Sequence, residues 1–499
     1  MLEEKSGPSA IVVGAGFGGM AAALRLKAKG WRVTLIDRAP RPGGRAQVFE
    51  KDGFRHDAGP TVITAPFLFD ELFALFGKDR RDFVTFVPLT PWYRFRFHDG
   101  TTFDYGGGVD DTLAEIRRIE PQDVNGYLAM LKHSRLMYEK AFTELADQPF
   151  HEPKTMLRQT LSLMRLRANR TVWQFVSAYL TNSNLRQAFS IQPLLLGGNP
   201  FDTTSIYTLI HYLERQWGVH FAMGGTGAIV AALQKLMLDE GVKIRLGETV
   251  SKILIENRSA KGVSLESGET IAADIVVSDV DPMFLYREMI PTQVQPIMTK
   301  IKKRSRLSMG LFVLYFGTRR KYPDVAHHTI WMGARYKELL KDIFTRRSLP
   351  EDFSLYLHRP TATDASFAPE GCDSFYVLCP TPNLLAPIDW TEEGPRLQSR
   401  IVDALDRTIL PGLKGSITAD FFMTPRDFEN RYLSYAGAGF SIAPYFTQSA
   451  WFRFHNRAEG LRNLYLTGAG THPGAGIPGV LCSAKVVDRL VPDASAFVL

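Results

Sequence analysis

The chain has 499 residues, of which 45% are hydrophobic and 22% are charged, a composition typical of a globular protein with two or three domains and a large core. Its 59 basic residues only modestly outnumber its 52 acidic residues, which gives a net charge of +7. The sequence contains no recognisable nucleic-acid-binding module, so the basic excess favours contact with an anionic membrane surface over nucleic acid. Three cysteines without C-x-x-C spacing argue against a disulfide framework or a zinc site and indicate a reducing compartment.

A strand, a glycine-rich turn, a helix and a second strand open the chain. The strands are predicted at residues 10–13 and 32–36, and the helix at residues 20–29. Gly14, Gly16 and Gly19 form the pattern G-x-G-x-x-G, in which they permit a tight turn, close approach to a pyrophosphate and close helix packing, in that order. Asp37, after the second strand, is placed to accept hydrogen bonds from ribose hydroxyls. This context predicts a dinucleotide-binding βαβ unit, the alternative being a glycine-rich turn without a ligand.

A rigid loop rich in proline and glycine follows at residues 38–45, with the sequence RAPRPGGR. Arg41 and Arg45 can form charge-assisted hydrogen bonds with a pyrophosphate, or the loop is a solvated basic turn. Arg38 can accept a ribose 2′-phosphate, whereas the neighbouring Asp37 favours a free ribose hydroxyl, as in FAD or NAD. A strand at 46–49 and a turn at 57–60 predict a hairpin that folds back on the first sheet.

The middle of the chain divides into a helical block and two regions of mixed α/β character. Residues 90–105 predict a strand pair, and residues 110–213 are mostly helical, which indicates an inserted helical substrate domain. From residue 224, we predict a helix at 226–239 and strands at 243–246, 250–256, 260–265 and 275–277. Three aromatic strands within 307–443, LFVLYF, FSLYLH and FYVLC, suit a long apolar ligand, or are core strands only.

A second strand–loop–helix unit ends the chain. A strand at 464–467 precedes a loop with five glycines, and a closing helix is predicted at 480–490. The N-terminus of this helix, near Gly479 and Val480, can stabilise negative charge on the pyrimidine ring of a reduced flavin. These patterns predict an α/β fold with a Rossmann-like FAD-binding domain, a second mixed-sheet substrate domain and a helical insertion.

The predicted segments are an FAD-binding domain at 1–105, 224–306 and 444–499, a helical substrate and membrane-associated region at 106–223, and a substrate-domain sheet at 307–443.

Several blocks resemble those of the bacterial and fungal phytoene desaturases, within the wider FAD-dependent amine oxidase and protoporphyrinogen oxidase group. They are GAGFGG, PGGR, DAGPTVIT, GGTGA, GGNPFDTTSIYTLIHYLER, HHTIWMGARYKELL, EDFSLYLHRPTATDASFAPEGC, TQSAWFRFHN and GAGTHPGAGIPGV, which together span nearly the whole chain. Two small departures are Asp37, where Glu is most common, and Phe454, where Pro is usual. The motifs and the resemblance together imply FAD contacts from Gly14, Ala15, Gly16, Gly18, Gly19, Asp37, Arg38, Gly44, Arg45, Val250, Gly470, Gly479 and Val480.

The resemblance implies an FAD enzyme that desaturates 15-cis-phytoene stepwise toward neurosporene or lycopene, with oxygen or a quinone as the electron acceptor. A substrate without polar groups needs no catalytic triad or metal, and His327 and His328 are expected on opposite faces of a strand, so no metal site is predicted. No catalytic residue is assigned. Asp57 and Arg158 are candidate proton acceptors by position, although structural roles are favoured for both, and His472 is interpreted as structural.

Three other functions stay open at this stage. Two are enzymes of the same group: an amine or porphyrinogen oxidase, and a carotenoid isomerase that uses reduced FAD. The third is a non-redox lipid carrier, because the Rab dissociation inhibitors resemble this architecture. A flavin spectrum excludes the carrier, and product analysis with phytoene separates the enzymes.

No apolar run reaches the roughly 18 residues of a membrane span, and MLEEKSGPS at the start does not resemble a secretory signal. A cytoplasmic protein that collects phytoene must therefore contact the inner face of a membrane peripherally. Residues 154–170 are the predicted contact, as a helix with an apolar stripe flanked by basic residues. The stripe is Leu157, Leu161, Met164 and Ala168, and the flanking cations are Lys154, Arg158, Arg165 and Arg167. Met156, Leu163 and Leu166 lie off the stripe, so an ordinary buried helix is the alternative, and residues 300–306 are the second choice.

Overall fold

The computed structural model describes residues 7–497. Residues 1–6 and 498–499 lie outside the described residues. Residues 1–6 are most of the segment MLEEKSGPS, which is predicted not to be a secretory signal. The strands, in chain order, are β1 Ser9–Val13, β2 Arg32–Asp37, β3 Val48–Lys51, β4 Phe54–Asp57, β5 Phe86–Pro88, β6 Tyr93–Phe97, β7 Thr102–Tyr105, β8 His220–Ala222, β9 Lys243–Leu246, β10 Val250–Glu256, β11 Ser259–Leu265, β12 Thr270–Ala272, β13 Ile275–Ser278, β14 Gly310–Thr318, β15 His328–Met332, β16 Leu355–His358, β17 Asp373–Thr381, β18 Ile417–Met423 and β19 Leu464–Leu466.

The α-helices, also in chain order, are α1 Phe17–Ala28, α2 Phe67–Ala74, α3 Val109–Ile119, α4 Asp123–Met137, α5 Pro153–Arg165, α6 Val172–Ser177, α7 Ser183–Ala188, α8 Leu209–Trp217, α9 Thr226–Asp239, α10 Pro282–Phe284, α11 Ile297–Lys302, α12 Tyr336–Lys341, α13 Trp390–Arg407, α14 Pro425–Tyr432 and α15 Ile477–Leu490. Short 3₁₀ and π-helical segments lie between them.

A five-stranded parallel sheet in the order β19-β13-β1-β2-β9 forms the first layer. Its central strands are continuous apolar runs because helices cover the sheet, and α1 packs against both α9 and α15. These strands come from three separate parts of the chain. The predicted α/β class is confirmed, and the βαβ unit at the start forms as predicted from its sequence.

A seven-stranded sheet in the order β18-β14-β17-β16-β15-β6-β7 forms the second layer, antiparallel except between β15 and β6. The topology differs from the predicted boundary at residue 105, because β6 and β7 pair within this second sheet rather than with the first. The hairpin β3–β4 also differs from its prediction. It forms its own two-stranded sheet, and β4 packs against β17 of the second layer.

The strand β14 has two apolar faces that serve different purposes. Phe312, Leu314 and Phe316 pack in a core with residues of α13, so the interpretation of these strands as core holds for that face. Leu311 and Val313, on the opposite face, line the large cavity described below. The alternation of a strand therefore divides the aromatic sheet between core and ligand wall.

Helices α3 to α8 form the helical region, which lies along the chain between β7 and β8. Helix α5 is shorter than predicted and ends at Arg165, so Ala168 lies beyond it and is buried rather than on an exposed stripe. Within residues 7–497, no helix is both long enough and apolar enough to cross a membrane.

Candidate functional site

A cavity of about 540 Å³ extends from the glycine-rich turn of the first layer to one face of the second sheet. Its first end is formed by backbone and charged groups, and its second end by apolar side chains with a few polar groups among them. The residues at the apolar end include Met156, Leu163, Leu194, Ile206, Leu209, Leu213, Leu311, Val313, Leu378, Phe428 and Phe440. A site that is polar at one end and apolar at the other suits two ligands of different character.

The glycine-rich turn forms the polar end. Gly14 has φ of +101°, a conformation that favours glycine, and Gly16 is the N-cap of α1 without any side-chain hydrogen bond. The amides at the start of α1 that have no partner within the helix can bind an anion in the cavity, except the amide of Gly19, which donates to the carboxylate of Asp279. A methyl group at Gly19 would lie 1.9 Å from the carbonyl oxygen of Gly14, which confirms the predicted role of this glycine in close packing.

Asp279, which the sequence analysis did not identify, lies directly beneath this turn. It follows β13, the parallel neighbour of β1, and its carboxylate accepts from Thr467 Oγ1 at 3.1 Å. A methyl group at Gly16 would lie 2.5 Å from Asp279 Oδ2, and one at Gly18 would lie 2.3 Å from Oδ1. Burial raises the pKa of Asp279 to about 7. Only glycines leave room for this carboxyl group, so the turn and Asp279 form one unit.

Asp37 fixes the turn from the other side. Its Oδ2 accepts from the amide of Ala15 at 2.6 Å, and its Oδ1 accepts from the amide of Ala39 at 2.7 Å. Burial raises the pKa of Asp37. Ala15, Gly18 and Gly19 do not themselves line the cavity, so their predicted contribution is made through the shape of the turn.

The predicted arginine loop reaches the cavity in part. Arg38, Gly44 and Arg45 line it, whereas Arg41 is exposed and does not. Arg45 is buried at its guanidinium group and bonds to Ser434 Oγ, and it faces Asp279 and Asp281. Val250, at the start of β10, completes this part of the lining.

Two of the three predicted cofactor contacts in the C-terminal loop lie at the cavity. Gly479 and Val480 line the cavity, but Gly470 does not, because it packs against Pro282 of α10. Helix α15 begins at Ile477, three residues earlier than predicted, and the amide of Val480 already donates to the carbonyl of Gly476 at 2.9 Å. The positive end of this helix therefore lies at residues 477–479.

At the apolar end, a chain of hydroxyl groups crosses the cavity wall. Thr61 Oγ1 lies 2.8 Å from the hydroxyl of Tyr376 and 3.0 Å from that of Tyr356, and Tyr376 donates to the carbonyl of Gly59 at 3.2 Å. These groups satisfy one another, so the wall presents mostly carbon to a ligand.

Glu214 is the exception on this wall, and the sequence analysis missed it. It lies on α8 and lines the cavity together with Leu209 and Leu213 of that helix, and it is 1% exposed. Its Oε1 accepts from the hydroxyl of Tyr93 at 2.9 Å, while its Oε2 is buried and has no hydrogen-bond partner among residues 7–497. Burial raises the pKa of Glu214 to about 7, against the opposing effects of Tyr93 and Arg215. In the sequence, the only sign of this site is that an acidic residue, Glu214, stands in the block HYLER of a helix that otherwise contributes apolar side chains to the cavity.

The three residues given tentative roles from the sequence do not supply chemistry to the cavity. Asp57 is fully buried, with Oδ1 accepting from the amide and hydroxyl of Thr226, and it does not line the cavity. Arg158 is exposed on α5. His472 lines the cavity, but its Nε2 donates to the carbonyl of Leu145 at 3.1 Å and burial lowers its pKa to about 4. Structural roles fit both buried residues.

The prediction that His327 and His328 point to opposite faces is wrong. Strand β15 begins at His328, so His327 lies outside the strand and the alternation does not apply to it. The two rings are 4.6 Å apart between centroids, and His358, the cross-strand partner of His328, lies beside both.

Comparison with known proteins agrees with this geometry. The sequence model of the family described as flavin containing amine oxidoreductase matches residues 17–487. A lycopene-forming phytoene desaturase from Pantoea ananas is 46% identical over 482 residues, which cover 96% of this chain and 98% of that protein. A neurosporene-forming phytoene desaturase from Cereibacter sphaeroides is 42% identical, with coverage of 97% of this chain and 95% of that protein.

Among solved structures, a putrescine oxidase variant has a TM-score of 0.66 over 98% of this chain and 99% of that chain, at 13% identity, which shows a shared fold. The family match over most of the chain, together with the two desaturases that align along almost their whole length, confirms the resemblance found in the sequence. The chain therefore belongs to the flavin-containing amine oxidoreductases and, among them, to the phytoene desaturases, which are FAD-dependent oxidoreductases.

Proposed function

We propose that this chain desaturates 15-cis-phytoene in successive steps toward neurosporene or lycopene in carotenoid biosynthesis. The observation that carries the proposal is the single cavity that joins a dinucleotide-type glycine turn to a long apolar wall. The names of the relatives, which form lycopene or neurosporene from phytoene, support the same substrate class.

The polar end of the cavity would hold FAD. The amides at the start of α1, next to Gly16, would bind the pyrophosphate, with Arg45 beside it, and Asp37 would face the ribose. The first turn of α15, at residues 477–479, would lie at the flavin ring. When bound, FAD supplies a hydride acceptor.

Desaturation removes a hydride and a proton from neighbouring carbons, so the chain must also supply a proton acceptor. We assign that role to Glu214 Oε2, because it is a buried oxygen in the cavity wall that lacks any hydrogen-bond partner. A carboxyl group whose pKa lies at about 7 exchanges protons readily near neutrality. The hydrogen bond from Tyr93 holds the other oxygen and fixes the direction of Oε2.

The remaining wall orients the polyene and excludes water. Leu311 and Val313 of β14, and Leu209 and Leu213 of α8, would confine an apolar chain between the second sheet and the helical region. Positioning of this kind contributes to rate because it brings the reacting carbons to a fixed distance from the acceptor groups.

Helix α5 would connect the cavity to a membrane. Its inner face contributes Met156 and Leu163 to the cavity lining, as expected for residues off the predicted stripe. Its outer face leaves Leu157 76% exposed and Leu161 72% exposed, with Arg158 and Arg165 beside them. A helix that lines an apolar cavity on one side and exposes leucines on the other suits an interfacial contact at the inner face of a membrane.

Helix α11 extends the same surface. Ile297 is 76% exposed and Lys300 is also exposed. Helix α5 packs against residues 450–452, and Lys302 of α11 donates to the carbonyl of Arg453 at 2.6 Å, so both helices border one segment. Residues 154–170 and 300–306, which the sequence offered as the first and second candidates for the membrane contact, thus belong to one proposed surface.

The experiment that tests this function is conversion of phytoene in liposomes. Purified protein with FAD and either oxygen or a quinone is incubated with phytoene-containing anionic liposomes, and the carotenes are separated by chromatography. We expect phytoene to be replaced by products with longer conjugated chromophores. Whichever of oxygen and quinone sustains repeated turnover is the electron acceptor that reoxidises the flavin. Unchanged phytoene in the presence of bound FAD would overturn the proposal, and a pure change of double-bond geometry would indicate an isomerase.

A further inference from the structure

Three buried histidines form a cluster behind the cavity wall, beside the chain of hydroxyl groups that includes Tyr356. His328 and His358 face each other across β15 and β16, and His327 precedes β15. One ring nitrogen of each lies within 4.8 Å of one ring nitrogen of each of the others. All three residues are buried, and His328 and His358 have no exposed surface.

Each histidine is held by one nitrogen and leaves the other without a partner. His358 Nε2 lies 3.2 Å from Asp57 Oδ2, His328 Nδ1 lies 2.7 Å from the hydroxyl of Tyr356, and His327 Nδ1 lies 2.7 Å from Thr363 Oγ1. Within the part of the chain that the structure describes, the nitrogens without a hydrogen-bond partner are His327 Nε2, His328 Nε2 and His358 Nδ1. Buried polar atoms are normally satisfied, so three orphaned nitrogens in one place need an explanation.

The hydrogen bonds assign lone pairs to two of these nitrogens. The carboxylate of Asp57 accepts, so His358 carries its proton on Nε2 and its Nδ1 is a lone pair. Tyr376 donates to the carbonyl of Gly59, so Thr61 donates to Tyr376 and Tyr356 donates to Thr61. Tyr356 oxygen then accepts from Nδ1–H of His328, which leaves Nε2 of His328 as a lone pair.

We infer that His327, His328 and His358 form a structural metal site for a divalent transition ion of the zinc type. Neutral imidazole nitrogens are preferred ligands of such ions, and the three histidines bring one ring nitrogen each to within 4.8 Å of the others. The Asp57–His358 contact has the form of the carboxylate–histidine–metal arrangement that orients metal ligands. The buried carboxylate also supplies negative charge next to a dication.

The site is closed and requires only a small adjustment. Zinc–nitrogen bonds of about 2.0–2.1 Å in tetrahedral geometry place ligand nitrogens about 3.4 Å apart. The three ring nitrogens that lie nearest one another, one from each side chain, are at most 4.8 Å apart, so that set would close by about 1.4 Å or less to reach this spacing. Burial of all three side chains distinguishes the cluster from a catalytic metal site, which keeps a position open to substrate. Its role would be to tie β15 and β16 to Asp57 and, through Tyr356, to stiffen the cavity wall.

The test uses the full-length FAD-loaded protein, purified without a histidine tag, dialysed against a chelator and then against buffer with or without Zn²⁺. We expect one retained zinc per chain, a higher melting temperature with zinc than without it, and X-ray absorption at the zinc edge that shows three imidazole nitrogens at about 2.0–2.1 Å. Flavin content should be the same in both samples. No zinc retained after dialysis, or zinc held by fewer than two imidazoles, would overturn the inference.

A pair of variants gives a matched comparison. His327→Asn removes the ligand nearest the edge of the cluster and should abolish zinc retention and the zinc-dependent rise in melting temperature. His211→Asn changes a histidine that is equally buried but has both nitrogens engaged, with Phe189 and Gln192, so it should retain zinc fully. A folded His327→Asn protein that keeps stoichiometric zinc would contradict the assignment. If that variant does not fold, the absorption measurement on the unmodified protein decides.

Discussion

The assignment of Glu214 as proton acceptor predicts how desaturation responds to pH. Glu214 must be ionised to accept a proton, so the rate should be low at acidic pH and should rise as pH increases through about 7, the pKa that burial imposes. Glu214→Gln keeps the size of the side chain and removes the base. We expect it to lower the rate by about 10²- to 10⁴-fold, as is typical for loss of a general base, and to abolish the pH-dependent rise.

Tyr93→Phe provides the sharper test, because it shifts the pKa of Glu214 without removing the carboxylate. The Tyr93 hydroxyl donates to Glu214 Oε1 at 2.9 Å and stabilises its charged form. A hydrogen bond to a charged group contributes about 1.5–3 kcal/mol, and one pKa unit corresponds to about 1.4 kcal/mol. Loss of this bond should therefore move the pH-dependent rise to higher pH by about one to two units, with full activity recovered at alkaline pH.

The assay is the initial rate of product formation from phytoene in liposomes across pH, normalised to bound flavin. Glu139→Gln, on an exposed part of the helical region, serves as the control and should behave like the unmodified enzyme. A Glu214→Gln enzyme with an unchanged rate and an unchanged pH profile would refute the assignment, as would a Tyr93→Phe profile that moves to lower pH.

Three further predictions follow from the contacts described above. Gly16→Val should abolish retention of FAD on gel filtration, because even its Cβ would lie 2.5 Å from Asp279 Oδ2, whereas Gly415→Ala should retain it, because its Cβ would meet only the carbonyl oxygen of Gly412 at an ordinary 3.9 Å. Changing Arg158, Arg165 and Arg167 to Glu should weaken sedimentation with anionic liposomes, since each cation near the surface contributes about 1 kcal/mol; unchanged sedimentation with FAD still bound would move the contact to α11. Lys302→Met should destabilise the protein by about 3–5 kcal/mol in thermal unfolding, because it leaves the buried carboxylate of Glu459 without its cation at 2.7 Å, and exposed Lys300→Met should have almost no effect; equal melting temperatures for the two variants would contradict this account.

Local patterns predicted the elements that local chemistry determines. The helix Thr226–Asp239 and the strand Lys243–Leu246 have the predicted bounds, and the glycines at positions 14 and 16 occupy the predicted turn. In each case the signal lies within a short window: an apolar run, a glycine that stops it, or a fixed spacing of glycines.

The parts that sequence reasoning missed depend on contacts between distant segments. Asp279 reaches the glycine turn only because β13 lies beside β1, although 265 positions separate them. His358 joins His327 and His328 through the register of β15 and β16, and the expected alternation failed because the strand begins one residue late. Glu214 is on a helix whose pattern predicts only an apolar face, so its lack of a partner is visible only in the packed structure.

The most direct test of the central claim is a single-turnover reaction without oxygen or quinone. Enzyme with oxidised FAD is mixed with phytoene in anionic liposomes, and flavin absorbance and carotene products are followed together. We predict that the oxidised-flavin absorbance bleaches in proportion to the new double bonds formed, because one cavity would hold both the cofactor and the polyene. Product formation without bleaching, or bound phytoene with neither bleaching nor product, would contradict it.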